Sequence, residues 1–262
     1  MPELGVKYKG KFVSCSERNN HINLRDDLNI QLISKNESVL LFHEDKVVGG
    51  VIRRAAKKSV ATYFGTKIKV TIEAHPPINR GAAHKDDGII VGHGLRKNPE
   101  DSYAGNYVYK DKALSPEEQK IYDEDGDSFA KWLYENAKSY LPWAVLSYED
   151  FRNKVQLGND ATIGTLFCAK NYEAVRHIDN DRSEWAIGYV YEEGLVNEGY
   201  FFYPEYGIAI ELTSNTIWCW KTKAIHGTAR LDLSKGGVRY TAAVTLTEKT
   251  ARAIERTYDQ KK

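Results

Sequence analysis

Between residues 162 and 247 the chain reads as short apolar runs cut by turn residues, and that pattern leaves few folds open. The runs 162–168, 185–191, 200–203, 208–212, 216–220 and 238–246 are separated by Gly, Asn, Asp or Lys. Short strands punctuated in this way build a sandwich or a barrel. Seventeen Tyr and five Trp against a single Met point the same way, because large aromatic side chains suit pleated surfaces. A chain of 262 residues is long enough to bury a full sandwich core.

The flanking regions differ in texture. Residues 38–42 and 47–52 flank the polar His43-Glu44-Asp45-Lys46, a hairpin signal, and 60–72 continues a β pattern. A loop rich in Pro, Gly, Asn and Asp runs from about 74 to 114, a length that in a compact domain is usually functional. Ser115, Pro116 and Glu118 then supply an N-cap, a first-position proline and a capping-box acid. Phe129, Trp132, Leu133 and Ala137 follow at helical spacing, and the pattern stops before Pro142. Ser147 with Asp150 marks a further short helix ending near Val155, and the tail from Glu248 reads as a surface helix. The expected class is mainly β with helical support (α+β). The expected organisation is one domain over 1–262: an N-terminal β extension (1–73), a long loop with supporting helices (74–160), a β core (161–247) and a C-terminal helix (248–262).

The formal net charge of +1 announces no nucleic-acid partner. Charge is unevenly placed, however: Lys46, Arg53, Arg54, Lys57, Lys58, Lys67 and Lys69 fall in a stretch without one acid. Such a run either follows a phosphate backbone or forms a solvated face. Cys15, Cys168 and Cys219 are odd in number and lack metal or redox spacing, which fits a reducing compartment. With no signal-peptide pattern and no membrane-length apolar run, the expectation is a soluble, intracellular protein without a membrane or an obligate protein partner.

Chemistry concentrates in Arg176-His177-Ile178-Asp179-Asn180 and in Ala224-Ile225-His226-Gly227. Side chains two apart on an extended segment leave the same face, so His177 and Asp179 can converge on one ion, with His226 from a distant strand. Two imidazoles and one carboxylate leave open positions, as in non-haem Fe(II) oxygenases, whereas a structural zinc site closes all four. His84-Lys85-Asp86 repeats the H-x-D spacing, but His93, in the same loop, is the only histidine between it and His177. Asp179 is instead followed by several strands, then His226, then Arg239 and Thr241 on one face of a strand. A guanidinium suits the far carboxylate of a dicarboxylate that chelates the metal. Alternatively, Arg239 snorkels at a sheet edge and Thr241 merely packs.

Taken together, H-x-D, a Gly-aromatic strand, the distal His and the Arg over 163–248 resemble the catalytic core of Fe(II)/2-oxoglutarate oxygenases. Residues 197–207 (NEGYFFYPEYG) more narrowly resemble the "EGG-x-L-x-F-P-x-x-G" segment of the TET/JBP-like branch. Tyr200 stands where a second glycine is common, and Trp218-Cys219-Trp220 replaces a "PGD-x-x-x-F" turn. The resemblance implies a double-stranded β-helix (jelly-roll) core. It further implies Fe(II) held by His177, Asp179 and His226, 2-oxoglutarate anchored by Arg239 and Thr241, and O2 as oxidant. The branch oxidises the methyl group of 5-methylpyrimidines (5-methylcytosine or thymine) in nucleic acid, which would make DNA or RNA the partner. Asn79, Arg80 and Arg176 are then candidate substrate contacts, with a surface role for Arg176 equally open, and the basic run a candidate rim. The alternatives are a hydroxylase of a protein side chain or small metabolite, and a non-catalytic binding module on the same fold.

Overall fold

A computed structural model describes residues 30–43, 45–79, 87–110, 113–157 and 164–259. Strands β1 (Gln31–Ile33), β2 (Val39–His43) and β3 (Lys46–Arg53) lead into helix α1 (Lys58–Ala74). Strands β4 (Asp87–Lys97) and β5 (Ala104–Asn106) precede helices α2 (Pro116–Tyr140) and α3 (Pro142–Val155). The core strands follow as β6 (Thr165–Glu173), β7 (Trp185–Glu193), β8 (Asn197–Glu198), β9 (Phe201–Tyr203), β10 (Ile208–Ile210) and β11 (Thr216–Lys221). The last described elements are β12 (Gly227–Thr228), β13 (Leu231–Asp232), β14 (Val238–Thr245) and helix α4 (Glu248–Asp259).

The fold is mixed α+β with a large antiparallel sheet in the order β2-β3-β11-β7-β14-β6-β4-β5. A smaller sheet, β1-β10-β9-β12, faces it, and only its β1–β10 pairing is parallel. Strand β7 shows how the sequence sorts the two faces. Trp185, Ile187 and Tyr189 pack with the helices, while Ala186 and Val190 pack with the small sheet. On the helical side Phe64, Ile68, Phe129, Leu133 and Tyr148 cover the large sheet, each contributing on the order of 2 kcal/mol by burial. Between the sheets Val51, Trp218 and Trp220 meet Phe201, Tyr203 and Ile208. Helix α2 begins with the full Ser115/Glu118 capping box, as its sequence requires.

Three expectations are corrected. Residues 60–72 form helix α1, not a strand: Ala61, Phe64, Ile68 and Ile72 are buried at helical spacing. Val60, Thr62, Thr66, Val70 and Thr71 favour strands, but packing overrides that preference. The hydroxyls of Thr62, Thr66 and Thr71 donate to the carbonyls four residues back. The loop expected at 74–114 contains β4, which joins the large sheet beside β6, and β5. Gly92 and Gly94 had obscured the strand pattern. A Cβ at Gly92 would sit 2.4 Å from the Tyr107 ring, so the glycine admits that ring against the sheet. Helix α3 starts at Pro142 rather than near Ser147, because proline suits the first turn.

The basic run is structural at its centre. Arg53, 8% exposed, donates to the Ile33, Ser34 and Glu37 carbonyls and to Thr216 Oγ1. Lys67 pairs with Asp125, and Lys69 bonds both Glu193 oxygens at 3.0 Å. Cys168 and Cys219 are free and buried, and Cys15 lies outside the described residues. Among the described residues no helix is long and apolar enough to cross a membrane.

The helical reading of α1 has a direct check. A strand would place residues 66 and 68 on one face, whereas the helix exposes Thr66 and buries Ile68 completely. Ile68→Ala is expected to cost about 2–4 kcal/mol and Thr66→Ala under about 0.5 kcal/mol, read from denaturant midpoints.

Candidate metal centre

Strand β6 ends at Glu173, and the chain then runs extended across the edge of the small sheet. There His177 faces His226 as an isolated antiparallel pair. Each backbone amide donates to the other's carbonyl, His177 to His226 at 2.9 Å and the reverse at 3.0 Å. The two imidazoles leave the same side of this pair, ring centroids 4.4 Å apart. Asp179, two residues on, is held by its amide bond to the Thr222 carbonyl at 3.0 Å. One donor atom from each of His177, Asp179 and His226 lies within 4.8 Å of the others.

The proton inventory defines what this group can do. His177 Nδ1 lies 2.7 Å from the Val175 carbonyl and His226 Nδ1 2.9 Å from the Ala224 carbonyl. A carbonyl only accepts, so both Nδ1 atoms carry the proton and both Nε2 atoms present a lone pair when the rings are neutral. Those Nε2 atoms face Asp179, His177 at 3.5 Å from Oδ1 and His226 at 3.2 Å from Oδ2. Three acceptors thus converge and repel unless a cation, or a second proton on each ring, lies between them. Octahedral ligands about 2.1 Å from a metal sit about 3 Å apart, close to these separations. The residues therefore fit a metal ion. Burial works to raise the Asp179 carboxyl, but hydrogen bonds and positive charge from the His177 and His226 rings, when each carries its second proton, outweigh it and hold it well below the usual carboxylate range.

Surrounding rings fix the site. His226, 3% exposed, stacks on Phe201 at 5.7 Å and lies 5.6 Å from Trp220. All three histidine and aspartate side chains open onto a cavity of about 770 Å³. Its walls include Trp218 and Trp220 of β11, Phe167 and Ala169 of β6, and Arg239, Thr241 and Thr245 of β14. Tyr107 lies against Gly92 and meets Phe167 edge to face at 6.5 Å, with the Arg96 guanidinium 4.8 Å above its ring. Lys97 and the exposed Lys249 also line the cavity.

The other predicted residues divide. Asn79, Arg239 and Thr241 line the cavity. Arg176 does not: next to His177 on extended chain, it leaves the opposite side. None of the seven cations of the 46–69 run lines it either: Lys58, Lys67 and Lys69 lie on α1, which covers the far face of the large sheet, and Arg53 is held by the Ile33 and Ser34 carbonyls. Arg80, His84 and Asp86 lie outside the described residues. Arg96, Lys97, Tyr107 and Phe167 were not anticipated. Residues 167 and 169 alternate along β6 and are legible as one face, but Arg96 and Tyr107 fall in sequence that reads as loop.

No protein-family model matches the chain, and no curated protein matches it. Solved structures do. NgTET1 in complex with 5mC DNA is similar at 13% identity, covering 86% of this chain and 84% of that one, with a TM-score of 0.56. A bsmA homolog from Methylobium petroleophilum PM1 is similar at 12% identity over 77% and 89% of the two chains. Its TM-score of 0.37 is too low to carry an argument. The first likeness is one of fold alone.

Removing the shared carboxylate tests the centre. Asp179→Ala is expected to weaken Fe(II) or Mn(II) binding by at least about 100-fold in anaerobic calorimetry, whereas His84→Ala leaves it unchanged. Comparable loss in both variants would move the centre to the other H-x-D.

Proposed function

We propose that this protein is an Fe(II)- and 2-oxoglutarate-dependent dioxygenase of the TET/JBP-like kind, oxidising the methyl group of a 5-methylpyrimidine in nucleic acid. The observation that carries the reading is the convergence of two imidazole lone pairs and one carboxylate on the wall of a large cavity. That donor set, with positions left open, is the one non-haem Fe(II) oxygenases use. Strand order supports it. The sequence β6, His177, β7, β9–β10, β11, His226–β12, β14 alternates between the two sheets. We read this as a double-stranded β-helix (jelly-roll) and the whole chain as one oxygenase domain.

In this reading His177, Asp179 and His226 hold the metal. Bound iron would supply the redox chemistry, coupling oxidation of a C–H bond to decarboxylation of 2-oxoglutarate by O2. The Nδ1–H bonds to Val175 and Ala224 carbonyls lock both rings with Nε2 toward the metal. Phe201 and Trp220 shield His226 from water. Arg239 and Thr241, on alternate positions of β14, face the same space and take the co-substrate.

The substrate class rests on the cavity and its rim. A volume of about 770 Å³ suits a co-substrate and one extruded base. In this reading Tyr107 and Phe167 meet the planar base, and Arg96, Lys97, Lys249 and Asn79, which line the same cavity, are assigned to the phosphodiester. That NgTET1, of the same fold, was solved with 5mC DNA adds to the case for DNA.

The test is nucleoside mass analysis after incubation with 5-methylcytosine duplex, Fe(II), 2-oxoglutarate and O2, expected to show oxidised 5-methylcytosine or thymine and stoichiometric succinate. Unchanged bases with 2-oxoglutarate consumed would point to a protein side chain or small metabolite, and no metal uptake to a binding module. Arg96→Ala with Lys97→Ala is expected to weaken duplex binding several-fold and to lower the salt slope by about 2.

A further inference from the structure

Arg239 is not an unencumbered cation. Its side chain is buried, and the donors on Nε, Nη1 and Nη2 are already engaged. Nε donates to Glu192 Oε1 at 2.8 Å, and Nη2 lies 2.7 Å from the same oxygen. Nη1 donates to the Gly199 carbonyl at 2.5 Å, and Nη2 to the Leu212 and Glu198 carbonyls at 2.9 and 3.2 Å. The collar has no room to spare. Gly199 has φ +70°, and a Cβ there would sit 2.2 Å from Nη1. Glu192 is itself fixed, its Oε2 accepting from the Ser214 amide at 3.1 Å and from Thr213 Oγ1 at 3.4 Å. One full negative charge and three carbonyl dipoles therefore surround the guanidinium, in a region where burial strengthens their effect.

A carboxylate arriving from the cavity meets a neutral ion pair. The guanidinium can give it the second Nη1 hydrogen, and Thr241 can add a hydroxyl, but little net charge remains to attract it. We propose that Glu192 is a positioning residue that sets co-substrate specificity. It pins Arg239 from the neighbouring strand β7 and, by neutralising it, keeps the preference for a 2-oxo dicarboxylate over a 2-oxo monocarboxylate weak. This rests on the oxygenase reading above.

Binding, not turnover, tests it: calorimetric titration of the anaerobic Fe(II)-loaded protein with 2-oxoglutarate and with 2-oxopentanoate, which lacks the distal carboxylate. In the unaltered chain the two acids are expected to differ by less than about tenfold, since a lone buried guanidinium would discriminate far more strongly. Glu192→Gln, which keeps an acceptor for Arg239 and removes the charge, is expected to tighten 2-oxoglutarate roughly tenfold and leave 2-oxopentanoate unchanged. Glu192→Asp, retaining the charge, is expected to stay near the original ratio. The inference is overturned by a 100-fold preference for the dicarboxylate in the unaltered chain, a measurement that needs no variant to fold. It is also overturned if Glu192→Gln shifts both acids alike, or leaves 2-oxoglutarate unchanged or weaker. Metal uptake with neither acid binding would defeat the co-substrate reading, and the role of Glu192 with it.

Discussion

Two hydrogen bonds between the backbones of His177 and His226 are the interaction on which the rest of the site depends. They join a segment that has just left the large sheet to one about to pair with β9, so the bonds that link the two segments also bring the three donor side chains together. An antiparallel, mutually bonded pair puts both side chains on the same face by construction. The imidazoles need no further search to meet. Each then fixes its ring with a carbonyl two residues back, Val175 for one and Ala224 for the other. Local chain geometry, not distant packing, thus chooses the tautomer.

The two faces of the large sheet divide the work. Helices α1, α2 and α3 bury one face with Phe64, Phe129, Leu133 and Tyr148. The opposite face is partly covered by the small sheet and partly left as the cavity. Strand β14 serves both: Tyr240, Ala242 and Val244 pack against helices, and Arg239, Thr241 and Ala243 line the cavity. Period-two alternation lets one strand be core on one side and chemistry on the other.

Much of this was legible in the sequence where local signals and packing agree. The strands from 185 to 246, the hairpin at 39–53 and the α2 capping box follow from turn residues and caps. H-x-D with a distal histidine named the three converging residues. Illegible were the places where tertiary contacts decide. Helix α1 is written in β-branched residues and becomes helical because Ile68 and Phe64 must cover the sheet. Strand β4 carries glycines that make sense only once Tyr107 is seen lying on Gly92. Arg53, Lys67 and Lys69 looked like a charged surface, yet their acceptors come from Ile33, Asp125, Glu193 and others spread along the chain. Spacing also found Arg239, but could not show that Glu192 and three carbonyls already hold it.

The Tyr107 wall has a consequence of its own. The ring follows β5 and rests on β4, both outside the run from β6 to β14 that carries the histidines, Asp179 and Arg239. The cavity wall and the donor set therefore lie on separate stretches of chain. A change of length or side chain between residues 98 and 110 would reshape what the cavity admits, while the backbone pair at 177 and 226 would go on holding the same three donors. A lineage built on this plan can remodel the cavity without rebuilding the group of converging donors.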